Sequence, residues 1–313
     1  MIDTNYISTL VEDYIEFKRS LGFELKIIAK RLRKFASYTR SIDYDGYITK
    51  DIVLKWICKG TDSQKTRGRR LEIFLPFLKF AHLKDENNAI ISSQIFSNAR
   101  QRPNPHIYNE SEVLDLIRKC EDFYSPDQLR TKSMQLALGL LWSTGMRPNE
   151  VVSLKYKDID FENSLIKIRD TKLHKDRIIP IHKTVLGKIK EYISFINSHE
   201  IYPEEDDNLL YTTYHKVFTL NKMYTAFKLI RGDINTSDSD YNYARLYDFR
   251  HSFASRTVYL WLKNDEDVNE KLYILSCYLG HAKISDTYWY LSSSMLLMNL
   301  ASEKYENMVG NRR

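Results

Sequence analysis

The 313-residue chain is short of cysteine, of long apolar runs and of repeated sequence, and each shortage excludes something. Its three cysteines, Cys58, Cys120 and Cys277, are far apart and odd in number. They supply neither a disulfide framework nor zinc-ligand spacing, which fits a reducing, cytoplasmic compartment. His174 and His182 have no cysteine near them in the sequence, so no metal site is expected. No run of about eighteen apolar residues offers a membrane span. The N-terminal Met-Ile-Asp-Thr-Asn lacks the basic-then-apolar pattern of a signal peptide. There is no internal repeat, no low-complexity tract and no Gly-x-x-x-x-Gly-Lys-Ser/Thr loop to cradle nucleotide phosphates.

What is present is enough apolar sequence for two domains, each with a core. The net charge of +6 is unevenly placed. Residues 1–105 hold 19 Lys+Arg against 12 Asp+Glu, whereas the remainder holds 28 against 29. A basic first third on a near-neutral remainder suits a polyanionic partner, although a solvated helical surface has the same signature on charge alone.

Apolar residues at helical spacing predict a helix over 5–21 (Ile7, Leu10, Val11, Tyr14, Ile15, Leu21) stopped by Gly22. A second covers 25–40, with Ile28, Leu32, Phe35 and Tyr38 on one face and six Lys or Arg on the other. A third begins near Thr49. A fourth is expected after Lys65, Arg67, Arg69 and Arg70, with Pro76 kinking it or shifting its start. Basic residues at a helix N-terminus oppose the helix dipole, so the Lys65–Arg70 cluster is either a phosphate contact or a surface loop. Residues 92–110 lose periodicity and carry Pro103 and Pro105, which reads as a linker between domains 1–104 and 105–313. Beyond it, Ser111 is placed as a helix cap, and an apolar helix through Leu136–Trp142 leads to Thr144-Gly145-Met146-Arg147-Pro148-Asn149-Glu150. Pro148 suits a first helical position and Glu150 a first turn. Residues 165–169 and 177–181 alternate as paired strands around a turn at 170–176. Helices are expected at 183–197, 221–230, 246–263 and 267–279.

Three stretches stand apart: Thr144–Glu150, Tyr247-Asp248-Phe249-Arg250-His251, and Leu279-Gly280-His281 followed nine residues later by Tyr290. In this order they resemble the boxes of the tyrosine recombinase (phage integrase) family. The resemblance implies a mainly α fold with a small antiparallel β-sheet: a helical N-terminal DNA-binding domain ahead of a tyrosine-recombinase catalytic domain. It implies Tyr290 as nucleophile, Arg147 and Arg250 as phosphate-binding arginines, Glu150 as support for Arg147, Lys172 in the hairpin as general acid, and His281 as a phosphate ligand. Tyr288 is a rival nucleophile two residues away, and Lys175 rivals Lys172 because the turn register is open. Tyr247 stands where the family usually has histidine, which leaves the general base open, since a tyrosine titrates far from pH 7. His251 also matches a family position, in a packing role.

The implied reaction forms a 3′-phosphotyrosyl link, passes through a Holliday junction, and needs no metal or other cofactor. The implied partners are double-stranded DNA gripped by both domains, a homo-tetramer on paired sites and accessory DNA-bending proteins, with no membrane and a nucleoid-associated cytoplasmic location. Integration, excision or transposition of a mobile element is the expected use. A Xer-like resolvase, a type IB topoisomerase or a catalytically impaired DNA-binding relative would share part of the pattern. The apolar stretch Met295–Leu300 in the C-terminal tail is expected to pack either on its own domain or on a neighbouring subunit.

Overall fold

A computed structural model describes residues 5–96, 104–169, 176–232, 234–237 and 241–292, with positions 297, 300, 302 and 306 beyond them. The chain divides into two compact units, Met1–Arg102 and Pro103–Arg313.

The first unit is a bundle of α1 (Tyr6–Ser20), α2 (Lys26–Ser41), α3 (Lys50–Ile57) and α4 (Gln64–Lys84). The apolar stripes turn inward as their spacing requires, burying Val11, Ile15, Leu32, Phe35, Val53, Ile57, Phe74 and Phe77. Lys26, Lys30, Arg31, Arg33, Lys34 and Arg40 of α2 face water, and Arg33 grips Glu12 of α1 with two bonds of 2.8 and 2.7 Å. One expectation needs correction. Helix α4 begins at Gln64, capped by Ser63, so Lys65, Arg67, Arg69 and Arg70 lie inside its first turns and not ahead of it. Arg67 donates to the Gly60 carbonyl at 3.3 Å and Arg70 to Asp62 at 2.7 Å, contacts that offset the adverse dipole placement. Pro76 lies inside the continuous helix and does not shift its start. It sits on the solvent side, where the carbonyl that loses its partner can be hydrated.

The expected linker is also shorter in its irregular part. Ile91 and Phe96 are buried in the first core, and His106 and Tyr108 are buried in the second unit. Tyr108 stacks on Phe249 at 4.3 Å, and its N–H donates to Ser252 at 2.8 Å. Single aromatic anchors of this kind leave no periodicity to read.

The second unit holds α5 (Glu110–Lys119), α6 (Leu129–Thr144), α7 (Pro148–Val152), β1 (Ile159–Asp160), β2 (Leu165–Ile168), β3 (Arg177–Pro180), α8 (Lys183–Asn197), β4 (Tyr211–Thr212), β5 (Lys216–Val217), α9 (Leu220–Ile230), α10 (Asp248–Lys263), α11 (Val268–Leu279) and α12 (Ser285–Ser292). Asn109, not Ser111, caps α5, in a reciprocal pairing with Glu112. The sheet runs β1-β2-β3, antiparallel throughout, with Ile168 opposite Arg177 and Leu165 opposite Pro180. Ile166, Ile168 and Ile179 face the core. The turn after β2, residues 170–175 with Lys172 and Lys175, lies outside the described residues. A separate apolar cluster joins α10 and α11 through Ala254, Val258, Leu272, Leu275 and Leu279, and Leu297 of the tail is buried in it. No described helix is long and apolar enough to cross a membrane.

Asn88 shows how the first unit is locked. Its side-chain oxygen accepts from the buried Ile48 N–H at 2.9 Å, and its nitrogen donates to the Tyr6 hydroxyl at 2.8 Å and to the Ala81 and Asp85 carbonyls at 3.1 Å. Asn88→Ala leaves a buried N–H without its acceptor and is expected to cost about 2–3 kcal/mol. Urea unfolding of the full chain reads this as a lower first-unit midpoint. An unchanged midpoint would contradict it.

Candidate active site

Helix α6 ends at Gly145 in the left-handed conformation, φ 62°. A Cβ there would lie 2.5 Å from the Phe253 ring, so the turn admits only glycine without rearrangement. It aims the chain at Arg147, which precedes α7. The Arg147 N–H donates to Glu150 Oε2 at 2.9 Å, its Nη1 to Glu150 Oε1 at 2.6 Å, and its Nη2 to the Gly280 carbonyl at 3.2 Å.

Glu150 is shared with a second cation. Arg177, the first residue of β3, donates from Nη1 to Oε1 at 3.0 Å and from Nη2 to Oε2 at 2.8 Å. Its Nε donates to the Tyr278 carbonyl at 2.9 Å. Burial pushes the Glu150 carboxyl up, but the hydrogen bonds and charges of Arg177 and Arg147 outweigh it and hold the group at about 2. Burial alone would lower the Arg147 pKa; Glu150 and the Tyr247 hydroxyl raise it instead.

Arg250, in the first turn of α10, is fully buried. Nη1 donates to the Gly145 carbonyl at 3.0 Å and Nη2 to the Leu279 carbonyl. Three successive carbonyls at the end of α11, those of Tyr278, Leu279 and Gly280, thus accept from three arginines of distant origin. This is the negative end of the helix dipole. Gly280 is left-handed at φ 67°, and a Cβ would come within 3.1–3.3 Å of Arg177. The His281 N–H then donates back to Ser276 at 3.0 Å, closing a Schellman turn.

His281 Nδ1 lies 2.7 Å from the hydroxyl of Thr287, a buried residue of α12. Burial first, then the Arg250, Arg147 and Arg177 charges, push the imidazole down to about 4 against the opposing pull of Asp286. It is therefore neutral near pH 7. Tyr247 is 38% exposed at the start of α10. His251 is buried, its ring 5.4 Å from Tyr247 and 4.7 Å from Trp289. Tyr290 belongs to α12, but its side chain lies outside the described residues, as does all of Lys172. Tyr288 is 45% exposed.

The fold therefore brings Arg147, Glu150, Tyr247, Arg250 and His281 together from separate stretches. It adds Arg177 and Thr287, which motif reading missed. Arg177 was detectable by parity. In a strand with Ile179 and Ile181 inward, position 177 shares their face, and an arginine there needs a partner. Thr287 left no such signal.

The depressed His281 pKa has a consequence for acid stability. The unfolded chain takes up this proton near pH 6.5 and the folded chain only near 4, so stability is lost as pH falls across that window. His281→Gln is expected to flatten the decline between those values in urea unfolding at stepped pH. Acid sensitivity equal to wild type would contradict this.

The pattern of the phage integrase family matches residues 107–296. The chain is 28% identical over 299 residues to an integrase/recombinase of Sinorhizobium fredii, covering 96% of each. It is 27% identical over 280 residues to the tyrosine recombinase XerA of Pyrococcus horikoshii, covering 87% of this chain and 86% of that protein. Among solved structures, the Tn1549 transposon integrase in complex with transposon right-end DNA aligns with a TM-score of 0.65 at 16% identity, over 97% of this chain and 99% of that one. A lambda integrase dimer bound to a core site aligns with 0.60 at 16% identity, over 90% and 94%. The structural likeness is one of fold, and the sequence match covers the whole arginine cluster from Arg147 to His281. The chain belongs to the phage integrase family, whose tyrosine recombinases are DNA strand-transferases.

Proposed function

We propose that the chain is a site-specific recombinase that cuts and rejoins duplex DNA through a 3′-phosphotyrosyl link to Tyr290. The observation that carries this is the convergence of Arg147, Arg177 and Arg250 on one helix end beside His281, with Glu150 as the carboxylate between two of them. Three guanidiniums against one carboxylate leave an electropositive site suited to a phosphodiester, whose charge grows on its non-bridging oxygens during attack.

In the proposed step the Tyr290 oxygen attacks phosphorus, the bond to the 5′-oxygen breaks, and Lys172 gives that oxygen its proton. Position 290 follows Thr287 by three residues, one turn along the same face of α12, and Thr287 is the residue that meets His281. This favours Tyr290 over Tyr288. His281 takes the Tyr290 proton only as the negative charge of a bound phosphate offsets the burial and the three arginines that hold its pKa down, and it then supplies the function that Tyr247 lacks as a replacement for histidine. Tyr247 then serves as a hydrogen-bond donor beside Arg147. Arg147 presents donors beyond those held by Glu150 and Gly280. Arg250 is fully buried, so it meets the phosphate only once the chain covering it moves.

The 5′-hydroxyl of a partner strand would reverse the step, and two rounds would pass through a Holliday junction on a tetramer of this chain. Lys65, Arg67, Arg69, Arg70 and the exposed basic face of α2 would contact the duplex backbone, Arg69 being the most open of the first four. Accessory DNA-bending proteins would act outside these contacts. The S. fredii relative, similar over 96% of the chain and described as an integrase/recombinase, is consistent with an integrase acting for a mobile element. The similarity to the tyrosine recombinase XerA over 280 residues supports the second reading, a Xer-like resolvase. Burial of Leu297 against its own α10–α11 cluster supports a tail that packs at home when the chain is alone.

The test starts from a duplex selected from a randomised pool by binding to the full chain, then nicked to trap cleavage. Wild type is expected to give a covalent band on a denaturing gel, and Tyr290→Phe none. Arg147→Ala is expected to slow its appearance about 10²–10³-fold. A band that survives in Tyr290→Phe would overturn the assignment.

A further inference from the structure

We infer that Arg177 is a positioning residue for strand cleavage, acting on the phosphate-binding arginine through the Glu150 carboxylate. This rests on the strand-transfer reading above. Each oxygen of Glu150 accepts from both arginines: Oε1 from Arg147 Nη1 and Arg177 Nη1, Oε2 from the Arg147 N–H and Arg177 Nη2. The carboxylate has no further lone-pair direction to offer. With Arg177 in place it cannot rotate, and the Arg147 guanidinium, bound at Nη1 to Glu150 and at Nη2 to Gly280, is fixed in one plane.

Arg177 is suited to positioning and not to phosphate contact. Its side chain is 11% exposed, against 26% for Arg147. Nε, Nη1 and Nη2 are all engaged with protein oxygens. Its stem and head lie against Gly280, where a Cβ would crowd it at 3.1–3.3 Å, so it also fixes the turn that presents His281. One side chain at the start of β3 therefore sets the approach of Arg147 and the placement of the residue after Gly280. A lysine keeps the charge but lacks the planar fork and cannot occupy both carboxylate oxygens and the Tyr278 carbonyl together.

The experiment compares wild type, Arg177→Lys, Glu150→Gln and the double variant on the same selected, nicked duplex, with binding measured separately from the rate of covalent-complex formation. Arg177→Lys is expected to keep the wild-type Kd within about twofold and to slow covalent-complex formation at least about tenfold. Added to Glu150→Gln, it is expected to slow the reaction by less than about threefold more, because both act through one carboxylate. Wild-type cleavage by Arg177→Lys, or losses that multiply in the double variant, would overturn the proposal. So would loss of near-UV circular dichroism or of DNA binding together with cleavage, which would make Arg177 a structural residue only; Arg177→Gln serves as the second variant for that comparison. A wild-type chain that forms no covalent complex would instead remove the strand-transfer reading itself, a result separate from any of these.

Discussion

The arginine cluster of the second unit depends on the C-terminal turn of one helix. The carbonyls of Tyr278, Leu279 and Gly280 would be orphans at the end of α11, and each is met by a guanidinium. Charge-assisted bonds of this kind are about twice as strong as neutral ones, and the dipole favours cations at this end. The three arginines come from β3, from α10 and from the residue before α7, so the turn joins segments more than a hundred residues apart. Like charges packed this closely would repel each other without Glu150 and the carbonyls between them. Among the described residues, Glu150 and four backbone carbonyls accept from the three guanidiniums at this turn.

Two glycines make that turn reachable. Gly145 closes α6 where Phe253 of α10 leaves no space for a side chain, and its carbonyl takes the other arm of Arg250. Gly280 closes α11 under Arg177. Arg250 therefore ties the ends of two helices together, which accounts for an arginine with no solvent exposure. The neutral state of His281 follows from the same crowding: burial and three nearby cations oppose a fourth positive charge.

Much of this was legible in the sequence, for identifiable reasons. In α1 and α2 the stripes bury Ile7, Leu10, Val11, Tyr14, Ile15, Leu32 and Phe35 as their spacing selects, whereas Ile28 and Tyr38 are half-buried and Leu21, past the end of α1, is 55% exposed. The Thr144–Glu150 stretch announced its turn through Gly145 and Pro148. Two-residue strands such as β1 and β4 offer no alternation and were invisible. The cap at Asn109 was displaced by two residues because Asn109 and Ser111 are both good caps, and only the reciprocal bond with Glu112 separates them. The basic cluster at 65–70 carries no apolar periodicity, so the sequence starts α4 after it, yet contacts with Gly60 and Asp62 accommodate it inside the helix. Arg177 escaped because motif reading looks for sequence neighbours, while its role comes from strand parity and from partners at 150 and 278. Lys172 and the Tyr290 side chain lie outside the described residues, so their roles stand on the resemblance and on the residues around them.

The central claim is that this electropositive turn serves a phosphodiester attacked by Tyr290. The most direct measurement is peptide mapping of the covalent protein–DNA complex after nuclease and trypsin digestion, with tandem mass spectrometry to locate the nucleotide. The account predicts a nucleotide joined through its 3′-phosphate to Tyr290, within the peptide that begins after Lys283, and a released strand ending in a 5′-hydroxyl. A nucleotide on Tyr288 or on any other residue, or a link through a 5′-phosphate, would contradict it.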